Sequence, residues 1–271
     1  MGRRLLIFLM IAAVGLFLQT CSKNPNDTNQ NGLSIVVRLK EADSAIVIDS
    51  IVQKFSDMAT VDLGGGILAI KMTDFIPNTL ITSYIDKNSV SWDRRVLYGY
   101  RVIGSDNFSP HTKIDSTTGR PLDDLNWGYM QHGYIKKDSR DVAFDGSVSL
   151  RGAYRVKDVA AIEIYRKIDV NVDSAGSQTA CQIRLAEMPK YAFPDSTNAP
   201  AVKLSDILSM LSGGDSTTIT GIDGYTGNHR YALTQIQNGY WIVALDQTKF
   251  NPDLGGSYRI KYVDSIDITK Q

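Results

Sequence analysis

Gly152-Ala-Tyr-Arg-Val-Lys-Asp-Val-Ala-Ala-Ile-Glu-Ile164 returns as Gly256-Ser-Tyr-Arg-Ile-Lys-Tyr-Val-Asp-Ser-Ile-Asp-Ile268 without a gap. Seven of the thirteen positions are identical and four more exchange similar residues. Two shorter pairs precede them in the same order: Ile103-Gly-Ser-Asp-Asn-Phe108 with Thr220-Gly-Ile-Asp-Gly-Tyr225, and His132-Gly-Tyr134 with Asn238-Gly-Tyr240. Collinear matches of this kind are the signature of a duplicated folding unit. Between the copies, Ala160, Ile162, Ile164, Arg166, Ile168, Val170 and Val172 alternate with Ala161, Glu163, Tyr165, Lys167, Asp169, Asn171 and Asp173. Period two over that length reads as one long strand. The expected fold is therefore α+β and β-rich, a tandem duplication of one mixed-sheet unit with short helices. Residues 34–167 and 168–271 form the two units, joined by a continuous strand.

Within the units, Leu33–Lys40, Ala45–Ile48, Ile67–Met72, Tyr98–Ile103 and Thr217–Ile222 read as strands. Helices are expected at Thr73–Ile76, Leu122–His132, Leu233–Asn238 and Leu204–Leu211, the last with Ser205 as N-cap and Gly213-Gly214 as its stop. Asp106-Asn107 and Asp223-Gly224 suit type I′ turns, with Asn107 and Gly224 in the left-handed region. Gly133 and Gly239, each followed by tyrosine, suit left-handed helix caps. The segment Ser105–Asp124, with Pro110, Gly119 and Pro121, is a long loop of the first unit without an equal in the second.

The amino terminus carries an address. Arg3 and Arg4 precede the apolar stretch Leu5–Leu18, which is too short to span a bilayer comfortably, so residues 1–20 read as a signal peptide. Leu18-Gln-Thr-Cys21 at its end resembles a bacterial lipobox. The resemblance implies lipidation of Cys21, cleavage before it and a stable membrane anchor of two or three acyl chains. Ser22 points to sorting to the outer membrane of the cell envelope, on its periplasmic or outer side. Residues 21–33 are polar and Asn-rich, a flexible tether.

Composition excludes some function classes. Removing residues 1–20 takes two of the 29 basic side chains and none of the 29 acidic ones, leaving a net charge of −2. No basic stripe for nucleic acid is present. After lipidation Cys181 is the remaining thiol, so no intramolecular disulfide forms. In Thr179-Ala-Cys-Gln-Ile-Arg-Leu185 the alternation makes Cys181 an inert core thiol, with Arg184 on the opposite strand face. His111, His132 and His229 have no metal-ligand spacing, and no nucleophile elbow or phosphate loop occurs. Asp106 and Asp223 repeat one turn position and are expected to stabilise turns. Trp92, Trp127, Trp241 and the tyrosines are expected to pack.

The order Thr220-Gly-Ile-Asp-Gly-Tyr225, Leu233 to Trp241 and Tyr258 to Ile268, with Lys203-Leu-Ser-Asp-Ile-Leu208 upstream, resembles the C-terminal part of the molybdopterin-binding domain of sulfite-oxidase-like proteins. That resemblance implies an oxidoreductase-related pterin-binding protein. The family's metal-ligand cysteine has no counterpart in the matched segments. The sequence therefore favours a membrane-anchored lipoprotein with a non-catalytic binding or structural role, without cofactor or metal. Its expected partner, beyond the membrane, is an envelope protein, a glycan or a small ligand. Radiolabelled palmitate is expected to enter the wild-type chain and not the Cys21→Ala variant; equal labelling of the two would refute the anchor.

Overall fold

Strands dominate because β-branched and aromatic residues occupy alternate positions through most of the chain. The computed structural model describes residues 34–40, 47–80, 92–174, 177–209 and 216–270. Cys21, the tether, Leu33, Ala45-Ile46 and Gly213-Gly214 lie outside the described residues. The first half holds β1 (Ser34–Lys40), β2 (Val47–Lys54), β3 (Val61–Asp62), β4 (Leu68–Lys71), β5 (Tyr98–Gly104), β6 (Gly133–Lys136) and β7 (Val142–Phe144). The long strand β8 runs from Val159 to Ser174. After it come β9 (Ser177–Arg184), β10 (Tyr191–Ala192), β11 (Pro200–Lys203), β12 (Ser216–Gly221), β13 (Tyr231–Ala232), β14 (Gly239–Ile242), β15 (Gln247–Phe250) and β16 (Val263–Thr269). The α-helices are short: α1 (Asn78–Leu80), α2 (Trp127–Gln131), α3 (Leu204–Ser209) and α4 (Leu233–Ile236). The fold is α+β and β-rich.

β8 organises the main sheet. Its first half lies between parallel β1 and antiparallel β5, with Ile162 opposite Val37 and Val102. Its second half lies between antiparallel β9 and parallel β16, with Val170 opposite Cys181 and Ile266. Pairing passes from β5 to β9 between Arg166 and Lys167. With β2 on β1 and β12 on β16, the order β2-β1-β8-β5 in one half matches β9-β8-β16-β12 in the other. Two small antiparallel sheets also correspond, β3-β4-β6-β7 and β10-β11-β14-β15.

One face of β8 serves two cores. Ile162 and Ile164 pack with Ile35, Val37, Phe75 and Tyr100, whereas Ile168, Val170 and Val172 pack with Trp241, Ile219 and Ile266. Full burial of each such aliphatic side chain contributes roughly 1.5–3 kcal/mol. Arg166 occupies the same face between the two clusters and is itself buried.

The paired turns are the same in detail. Gly104 N–H donates to Phe108 O at 2.8 Å and Asn107 N–H to Gly104 O at 3.0 Å; Gly221 and Gly224 repeat these bonds at 3.0 and 2.9 Å with Tyr225 O and Gly221 O. Asn107 and Gly224 take φ of 64° and 76°. Type I′ requires positive φ at both central residues, and Asp106 and Asp223 do not have it. Their carboxylates instead accept the N–H groups of Phe108 and Tyr225, each at 2.9 Å, which closes a different turn with a single left-handed residue. The preceding glycines are required by crowding. A Cβ at Gly104 would stand 2.8 Å from Lys157 O, and one at Gly221 would stand 2.7 Å from Lys261 O.

Gly133 and Gly239 correct the expectation of left-handed caps, since neither has positive φ. They begin β6 and β14, and what makes them small is packing: a Cβ would fall 2.3 Å from Met72 Sδ and 2.6 Å from Leu204 Cδ1 respectively. Helices are also shorter than expected. Residues 122–125 stay extended because Leu125 bridges to Tyr100, and Asn126 caps the helix through Tyr129 N–H at 2.9 Å. Ser205 lies inside its helix, which starts at Leu204, and Met72–Phe75 is a 3-10 turn.

No heavy atom lies within 4 Å of a Cβ at Gly224, so substitution there loads the backbone alone. Gly224→Val is expected to lower folding stability by about 1–3 kcal/mol, and Gly224→Asn by much less. Chemical denaturation with an unchanged midpoint for the valine variant would contradict this.

Candidate functional site

The polar face of β8 and the free edge of β9 carry the candidate site. Along that edge the long loop of the first half is fastened to the second half. Gln182 N–H donates to Asp123 Oδ1 at 3.0 Å, Asp124 N–H to Gln182 Oε1 at 3.1 Å, and Gln182 Nε2 to Asp124 O at 3.1 Å. Gln182 thus gives an otherwise unpaired edge strand a partner. Gly99 on β5 admits this approach, because a Cβ there would lie 3.2 Å from Asp124 Cβ.

Asp124, with its side chain 1 % exposed, anchors two guanidinium groups. Arg101 Nε donates to Oδ1 at 3.2 Å and Arg184 Nε to Oδ2. Arg101 continues to Glu187 Oε1 at 3.0 Å and to the Tyr165 hydroxyl at 3.1 Å, with its guanidinium 4.4 Å over the Tyr165 ring. Arg184 Nη1 also faces Glu187 Oε2 at 3.7 Å. These charges come from β5, the long loop, β9 and the 3-10 turn Leu185–Glu187.

Beside this network lies a cleft of about 780 Å³. Its walls are His111, Arg120, Pro121 and Asp123 from the long loop, Cys181 to Arg184 from β9, then Glu187 to Pro189, Tyr191 and Asp206. Four successive β9 residues line it, so the cleft follows the strand edge rather than one face. That is why Cys181 and Arg184, on opposite faces by alternation, share one wall. Its size lies within the range of small-molecule sites, ~300–1,000 Å³.

Electrostatics in the cleft are uneven. Burial depresses the pKa of His111, and the positive charges of Arg184 and Arg101 depress it further, so the ring is neutral at pH 7. Burial pushes the carboxyl of Asp123 up, although Gln182 N–H opposes this. It also pushes the Cys181 thiol up, against the Arg120 guanidinium, whose Nη1 donates to Sγ at 3.0 Å. The buried atoms Arg184 Nη2 and His111 Nδ1 have no hydrogen-bond partner among the described residues. Such atoms are uncommon in folded proteins.

The other residues singled out in the sequence are dispersed. Asp106 and Asp223 each hold their own turn. His229 stacks on Tyr258 at 3.7 Å. Trp127 and Trp241 are buried, while Trp92 is 49 % exposed and does not pack as expected. No group of three or more metal-ligating side chains occurs among the described residues. His132 does meet Asp145 and Ser147, with Nδ1 3.0 Å from Asp145 Oδ2 and 2.8 Å from Ser147 Oγ. A catalytic relay needs acid and nucleophile on different ring nitrogens; here both sit on Nδ1, and Ser147 N–H and Oγ close a turn on Asp145. Those bonds hold the Asp145 carboxyl down to about 2.

Sequence reasoning passed over Arg101, Arg120, Asp124 and Glu187. The available signal was Gln182-Ile-Arg184, polar residues flanking an apolar one on a strand. Of the segments that resemble the pterin-binding domain, only Lys203–Leu208 reaches the cleft, through Asp206. No protein-family model, curated protein or solved structure matches the chain.

A thiol that is 9 % exposed and raised in pKa is a poor nucleophile at neutral pH. In a Cys21→Ser background, Cys181 is expected to react with iodoacetamide at pH 7.5 at least about ten-fold more slowly than free cysteine, and at the free rate in urea. Free-rate alkylation of the native protein would show an open cleft floor.

Proposed function

We propose that the protein is a lipid-anchored envelope protein, held through Cys21, whose non-catalytic role is to bind a small ligand in the cleft between the long loop and β9. The observation that carries this reading is the pair of buried, partnerless polar atoms, Arg184 Nη2 and His111 Nδ1, in a cleft that is otherwise largely apolar. Sites of this composition take their affinity from the apolar walls and their orientation from a few polar groups. The shared ring nitrogen in the His132, Asp145 and Ser147 group also supports a role without chemistry.

The site is asymmetric although its frame is repeated. In the first half the chain after the turn at Gly104 runs through Pro110–Thr112 and Asp115 to Asp124 and covers the edge of β9. In the second half it reaches β13 at Tyr231, and His229 packs on Tyr258 instead. The duplicated frame supports the site, and the inserted loop makes it.

Nuclear magnetic resonance titration of the Cys21→Ser protein with a library of small organic fragments is expected to perturb amides of Cys181–Tyr191 and His111–Asp124. Fragment binding confined to other surfaces would reject the cleft as the site. Stoichiometric molybdenum or pterin in the purified protein would replace this reading with the oxidoreductase-related one.

A further inference from the structure

Resting on the lipid-anchor reading above, we infer that the β3–β4 hairpin is a second membrane contact: its apolar tip, Leu63, Ile67 and Leu68, enters the interfacial layer of the bilayer that holds Cys21. Large apolar side chains are exposed singly elsewhere, but here three stand within six residues, at 39 %, 45 % and 43 % exposure. Leu63 N–H donates to Ile67 O at 2.9 Å, and between them Gly64, Gly65 and Gly66 all take positive φ. No heavy atom lies within 4 Å of a Cβ built at any of the three, so the tip projects clear of the body. By alternation Leu68 shares a face with the core residues Ile70 and Met72, whereas Ile67 takes the other face with Ala69 and Lys71. A hairpin that docks flat needs one apolar face; a tip that is apolar on both faces suits immersion.

The repeat supplies an internal control. The corresponding β10–β11 hairpin makes the same bond, Phe193 N–H to Ala199 O at 2.9 Å, but Phe193 is buried against Tyr240 with ring centroids 5.2 Å apart. Its tip, residues 194–198, is polar, and Asp195 accepts Thr197 N–H at 2.8 Å. The frame therefore does not require an apolar tip, and the one present belongs to the half that follows Cys21. Ser34 of β1 pairs with Lys54, nine residues before Leu63. Nine residues span at most about 30 Å and the thirteen residues 21–33 at most about 45 Å, so the bilayer that holds an acylated Cys21 is within reach of the tip. Charge around the hairpin is balanced, with Lys71, Lys136 and Lys137 matched by Asp62, Asp74 and Asp138, so the attraction is apolar and does not call for anionic lipid. The glycine backbone needs water or headgroup partners, which limits entry to the interface.

The test uses residues 21–271 with Cys21→Ser and Cys181→Ala, which leave no native thiol, and with an amino-terminal hexahistidine in place of the acyl chains. The chain is held on vesicles of phosphatidylethanolamine and phosphatidylglycerol that contain a nickel-chelating lipid. A nitrobenzoxadiazole label on Ile67→Cys is expected to brighten at least about two-fold there, as its surroundings lose water. The same label on Thr197→Cys, at the polar tip, is expected to change by less than about a fifth. Leu63→Ser with Leu68→Ser is expected to bring the Ile67 label down to the Thr197 level, with circular dichroism identifying folded variants. Vesicles of phosphatidylcholine are expected to give the same brightening as the anionic mixture. An Ile67 label that stays dim on vesicles overturns the membrane contact and leaves the apolar tip to a protein partner. Equal brightening at both tips, or brightening that survives the serine substitutions, overturns the assignment to these side chains. Brightening only with phosphatidylglycerol overturns its apolar basis. Because the hexahistidine stands in for the acyl chains, the palmitate test decides the anchor reading separately from this result.

Discussion

Arg166 and Asp246 hold the two halves of the main sheet at one point. Arg166 sits on the apolar face of β8 between Ile164 and Ile168, where alternation calls for an aliphatic residue, and it is 4 % exposed. Its guanidinium binds Asp246 at 2.9 and 3.2 Å, Leu97 O at 3.2 Å and Val263 O at 2.6 Å. Leu97 immediately precedes β5 and Val263 opens β16, so one side chain supplies donors where two neighbouring strands leave their regular ladders. Asp246 also accepts Trp241 Nε1 at 3.0 Å and faces Arg94 at 3.5 Å. Breaking such a buried pair on one side costs about 3–5 kcal/mol, because the remaining charge is left without compensation.

That arrangement explains why one strand can serve two cores. An aliphatic residue at position 166 would merge the clusters but strand the carbonyls of Leu97 and Val263 away from water. Arginine satisfies both and places a fixed charge at the boundary, so the two halves meet through directional bonds. β8 is paired on both edges at Ala161–Tyr165 and Asp169–Asp173, and Arg166 stands in the gap where the parallel partners β1 and β16 leave off.

The opposite face of β8 follows a different logic. There Glu163 and Tyr165 join Arg101, Asp124 and Arg184, and the charges come from segments far apart in the chain. A network of this kind is stable only when each member is satisfied. The exception is Arg184 Nη2, which lies on the residue that also lines the cleft. Arg184 thus divides its nitrogens: Nε holds the long loop through Asp124, Nη1 faces Glu187 of the turn after β9, and Nη2 is buried without a partner among the described residues.

Much of the frame was legible in the chain itself. Period-two alternation through Ala160–Asp173 specifies a strand, because a one-residue slip would send every aliphatic side chain to the wrong face. The aspartate turns likewise rest on local chemistry, with Asn107 and Gly224 able to take positive φ. Tertiary structure decided what local rules do not reach. Gly133 and Gly239 are small because Met72 and Leu204 approach them, not because their backbones are left-handed. Arg184 meets Asp124 across 60 positions of sequence, and the cleft exists only where the long loop settles on β9. Alternation and turn propensity act over a few bonds, whereas a cleft and its unsatisfied donor arise from contacts between segments that only folding brings together.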